Sequence, residues 1–467
     1  MICPVAEAAR RWPGRAALVW EGATTTWAEL DVRVGEVAAA LRARGIGVGD
    51  RVAVASWNHP DLVAHFFAVG RLGAALVPLN MRLSDDERAH LLSTHRLTLT
   101  PLSDALAPAG TGGAASSSRG KDSGVAGRPP GEAAALPDVA RLPLAALFTS
   151  GTTGTPSLVE LTHANFIASA DAAAENLGAS ESDRWLGTLP LFHIGGLAML
   201  YRCARFGAAL VLEPGFDAAR ASRLFDEGIT HASLVPTTLE RLLEARGGRP
   251  FSNVQAVLVG GGPMTPGLLA RARAAGLPVL QTYGLTEACS QVTTERRAEA
   301  DGETAGPPIA GVSVRIVDDA GAPLGPREIG EIEVRGPTVS PALGPWLKTK
   351  DLGFLDERGR LTIVSRRVDL IVTGGENVYP AEVEAALRQH PLIRDVAVVP
   401  RPHPEFGQEP VGVVVLSAPC EDAALSGWAR DRIAHFKVPK VWVRVAELPR
   451  NAAGKLERRK LAGLAIG

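Results

Sequence analysis

An apolar run, Leu142 to Phe148, feeds without a break into Thr149-Ser-Gly-Thr-Thr-Gly154, and this junction constrains the fold more than any other stretch. The run reads as a strand, and Leu158 to Ala170 beyond the loop reads as a strand end followed by a helix. Within the loop, Gly151 and Gly154 stand among Thr149, Ser150, Thr152 and Thr153. Glycines let backbone come close to an anion, and amide N–H groups with hydroxyls can cradle phosphate oxygens without a fixed charge. Layered α/β folds gather their ligands where strands end. The loop lacks the G-x-x-x-x-G-K-[ST] order of a P-loop NTPase. A hydroxyl-rich surface turn has the same composition, so the loop by itself leaves both readings open.

The rest of the chain supplies an α/β setting. Apolar positions Trp27, Leu30, Val34, Val37 and Leu41 step by three and four, which predicts a helix over Thr26 to Arg44 ended by Gly45 and Gly47. A strand over Arg51 to Ser56, a helix over Leu62 to Gly70 and a strand over Ala74 to Pro78 follow. This alternation predicts a layered, parallel α/β fold. Gly306 to Ile363 reads as short strands and turns, a small antiparallel subdomain. From Asp369 onward strands and helices alternate in a second, smaller α+β domain. At 467 residues the chain exceeds what one core supports. Residues 103–138, rich in Ala, Gly, Ser and Pro, cannot bury enough apolar area to offset their ordering entropy and read as a disordered insertion.

Charge and cysteines exclude several function classes. A net charge of −1 gives no reason to expect nucleic acid or an anionic membrane as partner. Cys3, Cys203, Cys289 and Cys420 lack C-x-x-C spacing, so neither zinc nor a disulfide framework is indicated. No apolar run nears the ~20 residues of a membrane span. The N-terminus lacks the order of a signal peptide, so a cytoplasmic protein is expected.

Other stretches repeat the strand-then-loop pattern. Val254 to Val259 runs into Gly260-Gly-Gly-Pro263, which suits a ligand's close approach or a plain tight turn. Leu277 to Leu280 leads to Tyr283-Gly-Leu-Thr-Glu287, where a carboxylate beside hydroxyls suits a hard cation bridging phosphates. Leu189-Pro-Leu-Phe-His193-Ile-Gly-Gly196 sets a histidine between an apolar run and two glycines, and Asn451-Ala-Ala-Gly-Lys455 presents a lysine after a glycine.

Taken in order, Thr149–Gly154, Gly260-Gly-Gly-Pro263, Tyr283–Glu287, Asp351 ahead of Leu352-Gly-Phe-Leu-Asp356, and Asn451–Lys455 resemble the adenylate-forming superfamily. That group comprises acyl-CoA synthetases, luciferases and peptide-synthetase adenylation domains, and the resemblance runs from about Thr26 to Leu461. It implies a large N-terminal adenylation domain, residues 1–366, of layered α/β structure with a small β subdomain, and a mobile C-terminal domain, 367–467, hinged near Val368. It implies ATP, Mg2+ and CoA as cofactors and co-substrates, a carboxylic acid as substrate, and a possible homodimer. By the resemblance, Thr149, Ser150, Gly151, Thr152, Thr153 and Gly154 hold phosphates, as Thr286 does; Glu287 holds the metal. Gly260, Gly261, Gly262, Tyr283 and Gly284 lie against adenine, and Asp351 and Arg366 reach the ribose. His193 borders the acyl pocket, Gly374 and Gly375 flank the incoming thiol, and Lys455 meets the reacting centre.

Within the family, Leu189–Gly196, Tyr283–Val292, Ser365–Val383 and Leu448–Asn451 resemble the branch that activates o-succinylbenzoate for menaquinone synthesis, with Ser290 and Gln291 as acyl contacts. Other aryl- or acyl-CoA ligases, a carrier-protein acceptor, and a nucleotide binder without turnover are the alternatives. Three departures predict a slower enzyme. Ser157 replaces the loop's usual lysine, Lys350 replaces the glycine of Thr-Gly-Asp, and the segment from Gly336 to Trp346 is short.

Overall fold

The computed structural model of the chain describes residues 3–81, 83, 85–102, 139–149, 157–262, 264–366, 369–373, 376–403, 406–450 and 456–466. The expected insertion, 103–138, lies outside them. The architecture is mixed α/β, with a large N-terminal part and a small C-terminal domain.

Two sheets organise the large part. The five-stranded sheet runs in the order Thr98–Leu99, Arg51–Ala55, Ala75–Leu79, Pro143–Thr149, Ser157–Thr162; the first four strands are parallel and the last is antiparallel. The strand into the Thr149–Gly154 loop and the strand out of it are therefore hairpin partners. This differs from the strand-to-helix turns of dinucleotide folds and shows that the loop's ends are held together by a ladder. The eight-stranded sheet carries six parallel strands, among them Arg184–Gly187, His231–Leu234, Ala256–Val259 and Val279–Leu285. Its two edges are antiparallel: Ser290–Thr294 at one and Ala23–Thr26 at the other.

Helices fill the space between the sheets and cover their outer faces. Trp27–Ala43, Pro60–Leu72, His163–Leu177 and Ile194–Phe206 contribute Leu30, Phe66, Phe166 and Tyr201 to one core shared with both sheets. Phe166 stands 5.6 Å from Phe66 and 5.3 Å from Tyr201, centroid to centroid, in the tilted arrangement that aromatic quadrupoles favour. Ala218–Asp226, Pro236–Arg246 and Pro266–Ala274 cover the far face of the larger sheet. The first helix forms where the 3.6-residue period predicts it. Thr26 accepts from Glu29 N while Glu29 accepts from Thr26 N, a reciprocal cap, and Trp27, Leu30, Val34, Val37 and Leu41 are buried.

Four antiparallel strands, Ser313–Val317, Gly330–Arg335, Leu347–Leu355 and Leu361–Arg366, form the expected β subdomain. The C-terminal domain is a five-stranded sheet led by the long pair Ile393–His403 and Gly407–Leu416, with Pro380–Leu387 and Asp422–Arg430 sharing its core. Among the described residues no helix is long and apolar enough to cross a membrane, and all four cysteines are unbridged.

Candidate active site

The parallel strands of both sheets end on the segments singled out by sequence. Pro143–Thr149 ends at the hydroxyl-rich loop, Arg184–Gly187 leads to Leu189–His193, Ala256–Val259 ends at Gly260, and Val279–Leu285 passes through Tyr283 to Glu287. Such strand ends are where open α/β sheets bind ligands.

Thr149 is hydrogen-bonded across the base of its loop: Thr149 Oγ1 lies 2.9 Å from Ser157 Oγ. Ser157, where a lysine was expected, thus ties the two strands instead of offering a charge. Ser150, Gly151, Thr152, Thr153 and Gly154 lie outside the described residues, as do Val368, Gly374, Gly375 and Lys455.

Tyr283 and Asp351 come from different sheets and meet. Tyr283 donates its phenol proton to Asp351 Oδ2 at 2.7 Å. Asp351 is 8% exposed and lies opposite Arg366 in the strand ladder. Thr349 Oγ1 accepts from Asp351 N and donates to Ile332 O, fixing the turn that presents the carboxylate. An aromatic ring beside a hydrogen-bonded carboxylate can bind a planar base joined to vicinal hydroxyls.

The three glycines expected on the adenine side differ in their surroundings. A Cβ on Gly260 would stand 2.8 Å from Thr282 O, so its bareness serves packing against the next strand; Gly261 has a left-handed φ of +78°, and Gly262 faces open space within 3.8 Å. Gly284 is obligatory, because a Cβ there would lie 1.8 Å from Ser290 O. The turn beyond it is strained: Cys289 and Ser290 take φ of 50° and 91°. Such conformations persist where the surroundings over-determine them, which happens most at binding sites. Thr286 and Glu287 occupy a single 3-10 turn at this tip. Ser340, a buried residue outside the sequence prediction, donates its backbone N–H to Glu287 O at 2.9 Å and its hydroxyl to Glu160 O at 2.7 Å. It links the turn bearing Glu287 to the strand leaving the hydroxyl-rich loop. Among the described residues no three His, Cys, Asp or Glu side chains gather as a metal cage. One carboxylate here suits a magnesium ion that arrives on substrate phosphates and keeps most of its other ligands from them and from water.

At the other end of the site, His193 stands at the N-cap position of the helix Ile194–Phe206, its side chain making no capping bond, and lies edge-on to Phe192 at 4.8 Å. Gly196 is needed here too, since a Cβ would stand 2.6 Å from Pro190 O. Gln291 differs from expectation: its amide is committed between Arg202 Nη2, 3.0 Å from its Oε1, and Thr294 Oγ1, 2.8 Å from its Nε2. Arg202 itself is the residue that sequence reasoning passed over. It is 5% exposed, lies over the Trp185 ring at 4.9 Å, and forms no ion pair with a described carboxylate. Its Nε has no hydrogen-bond partner, and burial lowers the guanidinium to about 10. A lone charge inside Leu197-Ala-Met-Leu-Tyr-Arg-Cys-Ala204 was the available signal. The guanidinium is held by Gln291 Oε1 and the face of Trp185, and no described carboxylate pairs with it.

Comparison with known proteins agrees with this geometry. Residues 5–343 match the family described as AMP-binding enzyme, and residues 382–455 match the AMP-binding enzyme C-terminal domain. The 2-succinylbenzoate–CoA ligase of Bacillus velezensis is 37% identical over 97% of this chain and 96% of its own. That of Bacillus subtilis is 35% identical over 96% and 95%. Among solved structures, o-succinylbenzoate CoA synthetase from B. subtilis in complex with its acyl-adenylate intermediate superposes with a TM-score of 0.86 at 32% identity, covering 99% of this chain and 98% of that one. ATP-bound MatB from Rhodopseudomonas palustris superposes at 0.85 with 27% identity, over 99% and 98%. The chain belongs to the AMP-binding, adenylate-forming enzyme family.

Proposed function

We propose that this protein is an AMP-forming acid–thiol ligase that activates o-succinylbenzoate with ATP and passes the acyl group to coenzyme A. Such a reaction draws on cytoplasmic pools of both co-substrates, and the proposal places the enzyme there. The observation that carries the choice of acid is Arg202. o-Succinylbenzoate bears two carboxylates; one must react, and the other needs a cation at the far end of the pocket. A benzoate or a fatty acid would bring Arg202 no counter-ion. The names of the relatives point to the same acid.

In the first step a carboxylate oxygen attacks the α-phosphorus, an acyl-adenylate forms, and pyrophosphate leaves. In the second a thiolate attacks the acyl carbon, and AMP leaves with the former carboxylate oxygen. The nucleophiles belong to the substrates, so the protein's contribution is positioning and charge neutralisation. Tyr283 lies under the adenine and Asp351 accepts from the ribose hydroxyls, its carboxylate having lone pairs for these beside the phenol. Thr149 to Gly154 hold the phosphates, with Gly260 to Gly262 and Gly284 leaving room for the nucleotide. Glu287 would hold magnesium, which when bound offsets phosphate charge. Arg366 reaches the nucleotide beside Asp351. Lys455, carried on a C-terminal domain that turns about residues 366–369, meets the charge developing between carboxylate and α-phosphate. The turned domain brings Gly374 and Gly375 beside the thiol.

Separate half-reactions test these roles. Lys455→Ala is expected to slow acyl-adenylate formation about a hundredfold or more, with thioester formation from supplied adenylate retained. Normal adenylation with thioester formation abolished would contradict the assignment.

A further inference from the structure

Asn58 lies in the turn after the strand Arg51–Ala55 of the smaller sheet, yet its side chain serves the larger one. Asn58 Nδ2 donates to Leu189 O at 3.1 Å and to Glu213 O at 3.0 Å, while Oδ1 accepts from Leu191 N at 2.8 Å. The residue is 3% exposed, so these partners are not replaced by solvent. Its neighbours act on the same region. Trp57 stands edge-on to Phe192 at 6.0 Å, and His59 caps the helix Pro60–Leu72 while meeting the Trp20 ring at 5.5 Å.

The chemistry explains why an amide occupies this position. Leu189 O and Leu191 N from one strand end and Glu213 O from the next converge on one planar group that must offer two donors and an acceptor. Aspartate lacks the donors, an aliphatic residue lacks everything, and glutamine is longer by a methylene. The segment so held, Leu189 to Leu191, leads directly into Phe192 and His193. It belongs to the larger sheet, whereas Asn58 belongs to the smaller one. The clasp therefore fixes the acyl end of the site relative to the sheet that carries the hydroxyl-rich loop.

We propose that Asn58 is a positioning residue for carboxylic-acid recognition, holding the Leu189–His193 segment so that affinity for the acid, and not for ATP, depends on it. This rests on the reading that the acid binds beside His193. Removing the amide leaves Leu189 O, Glu213 O and Leu191 N unpaired and frees the segment to move. Shifts of about an ångström in a pocket wall cost up to a hundredfold in reaction.

ATP–pyrophosphate exchange on the full-length protein, with o-succinylbenzoate and ATP varied in turn, tests this. Asn58→Ala is expected to raise KM for the acid about tenfold while KM for ATP stays within about twofold. Trp57→Ala alters a residue that is 43% exposed, so its folding is not in question; it is expected to raise KM for the acid about threefold and leave ATP unchanged. Parallel increases in both KM values, or a fall in thermal stability with both KM values unchanged, would overturn the proposal. If Asn58→Ala does not fold, an unchanged acid KM in Trp57→Ala overturns it. Absence of exchange in the unaltered protein would overturn the functional reading, and this inference with it.

Discussion

Asp351 is presented by a backbone under strain. The resemblance led to an expected glycine at position 350, and the lysine there takes the glycine-like φ of 62°. A left-handed residue with a side chain costs roughly 1–2 kcal/mol. The turn survives because Thr349 bonds both Asp351 N and Ile332 O, and because Lys350 N donates to Glu331 Oε1 at 3.2 Å. Lys350→Gly is therefore expected to stabilise the protein by about 0.5–1 kcal/mol in denaturant unfolding, after allowance for glycine's greater freedom in the unfolded chain. KM for ATP should be unchanged. Destabilisation would show that contacts of the lysine side chain outweigh the strain.

The hairpin formed by Val279–Leu285 and Ser290–Thr294 is the element on which most of the nucleotide side depends. It carries Tyr283, Thr286 and Glu287, and its register slips between Tyr283 and Gly284, which Gly284 makes sterically feasible. Gly284→Ala drives a methyl into Ser290 O and is expected to lower exchange activity at least a hundredfold, with a loss of stability of about 2–4 kcal/mol. Near-normal exchange would show that the hairpin can shift without moving Glu287. Elements of this kind were legible where the signal is local. The helix period from Trp27 to Leu41, the strand before Gly260 and the alternation after Gly306 all announced themselves. The pairing of the hydroxyl-rich loop's two flanking strands was not legible, because periodicity says nothing of partners. Ser340 and Asn58 escaped for the same reason: each acts through hydrogen bonds to residues dozens of positions away, and nothing in their neighbours' sequence marks them. Arg202 had a local signal, a charge inside an apolar helix, whose meaning depends on the groups that face it across the core.

At the scale of the whole molecule, packing helices between two sheets buries titratable groups that the chemistry does not use. His163 and His231 are 2% and 0% exposed, and burial lowers each imidazole to about 4. Both nitrogens of His163 lack a partner, and its ring packs against Gly70, where an added Cβ would stand 3.1 Å from it. Between the ordinary imidazole value and 4, the unfolded chain takes up a proton that the folded protein refuses. Stability therefore falls as pH drops from about 6.5 to 4, by as much as ~3 kcal/mol per histidine, and levels off below. Buried Asp183 and Glu295, whose carboxyls are raised by desolvation, act in the opposite sense. A comparison isolates the histidine: His163→Leu is expected to flatten the decline in thermal midpoint across this range, and an identical slope in both proteins would contradict it. By the proposed reading, the strand ends of the two sheets line one crevice, with Tyr283 and Asp351 at the nucleotide side and Arg202 at the acyl side. The crevice is proposed to adenylate an acid carrying a second carboxylate. Carboxylate-dependent ATP–pyrophosphate exchange, run with o-succinylbenzoate, benzoate, anthranilate, salicylate and a medium-chain fatty acid, tests it most directly. Strong exchange is expected with o-succinylbenzoate, and at least about tenfold weaker exchange with each monocarboxylate, the worth of one charge-assisted contact. Equal exchange with benzoate, or none with any acid while ATP binds, would contradict it.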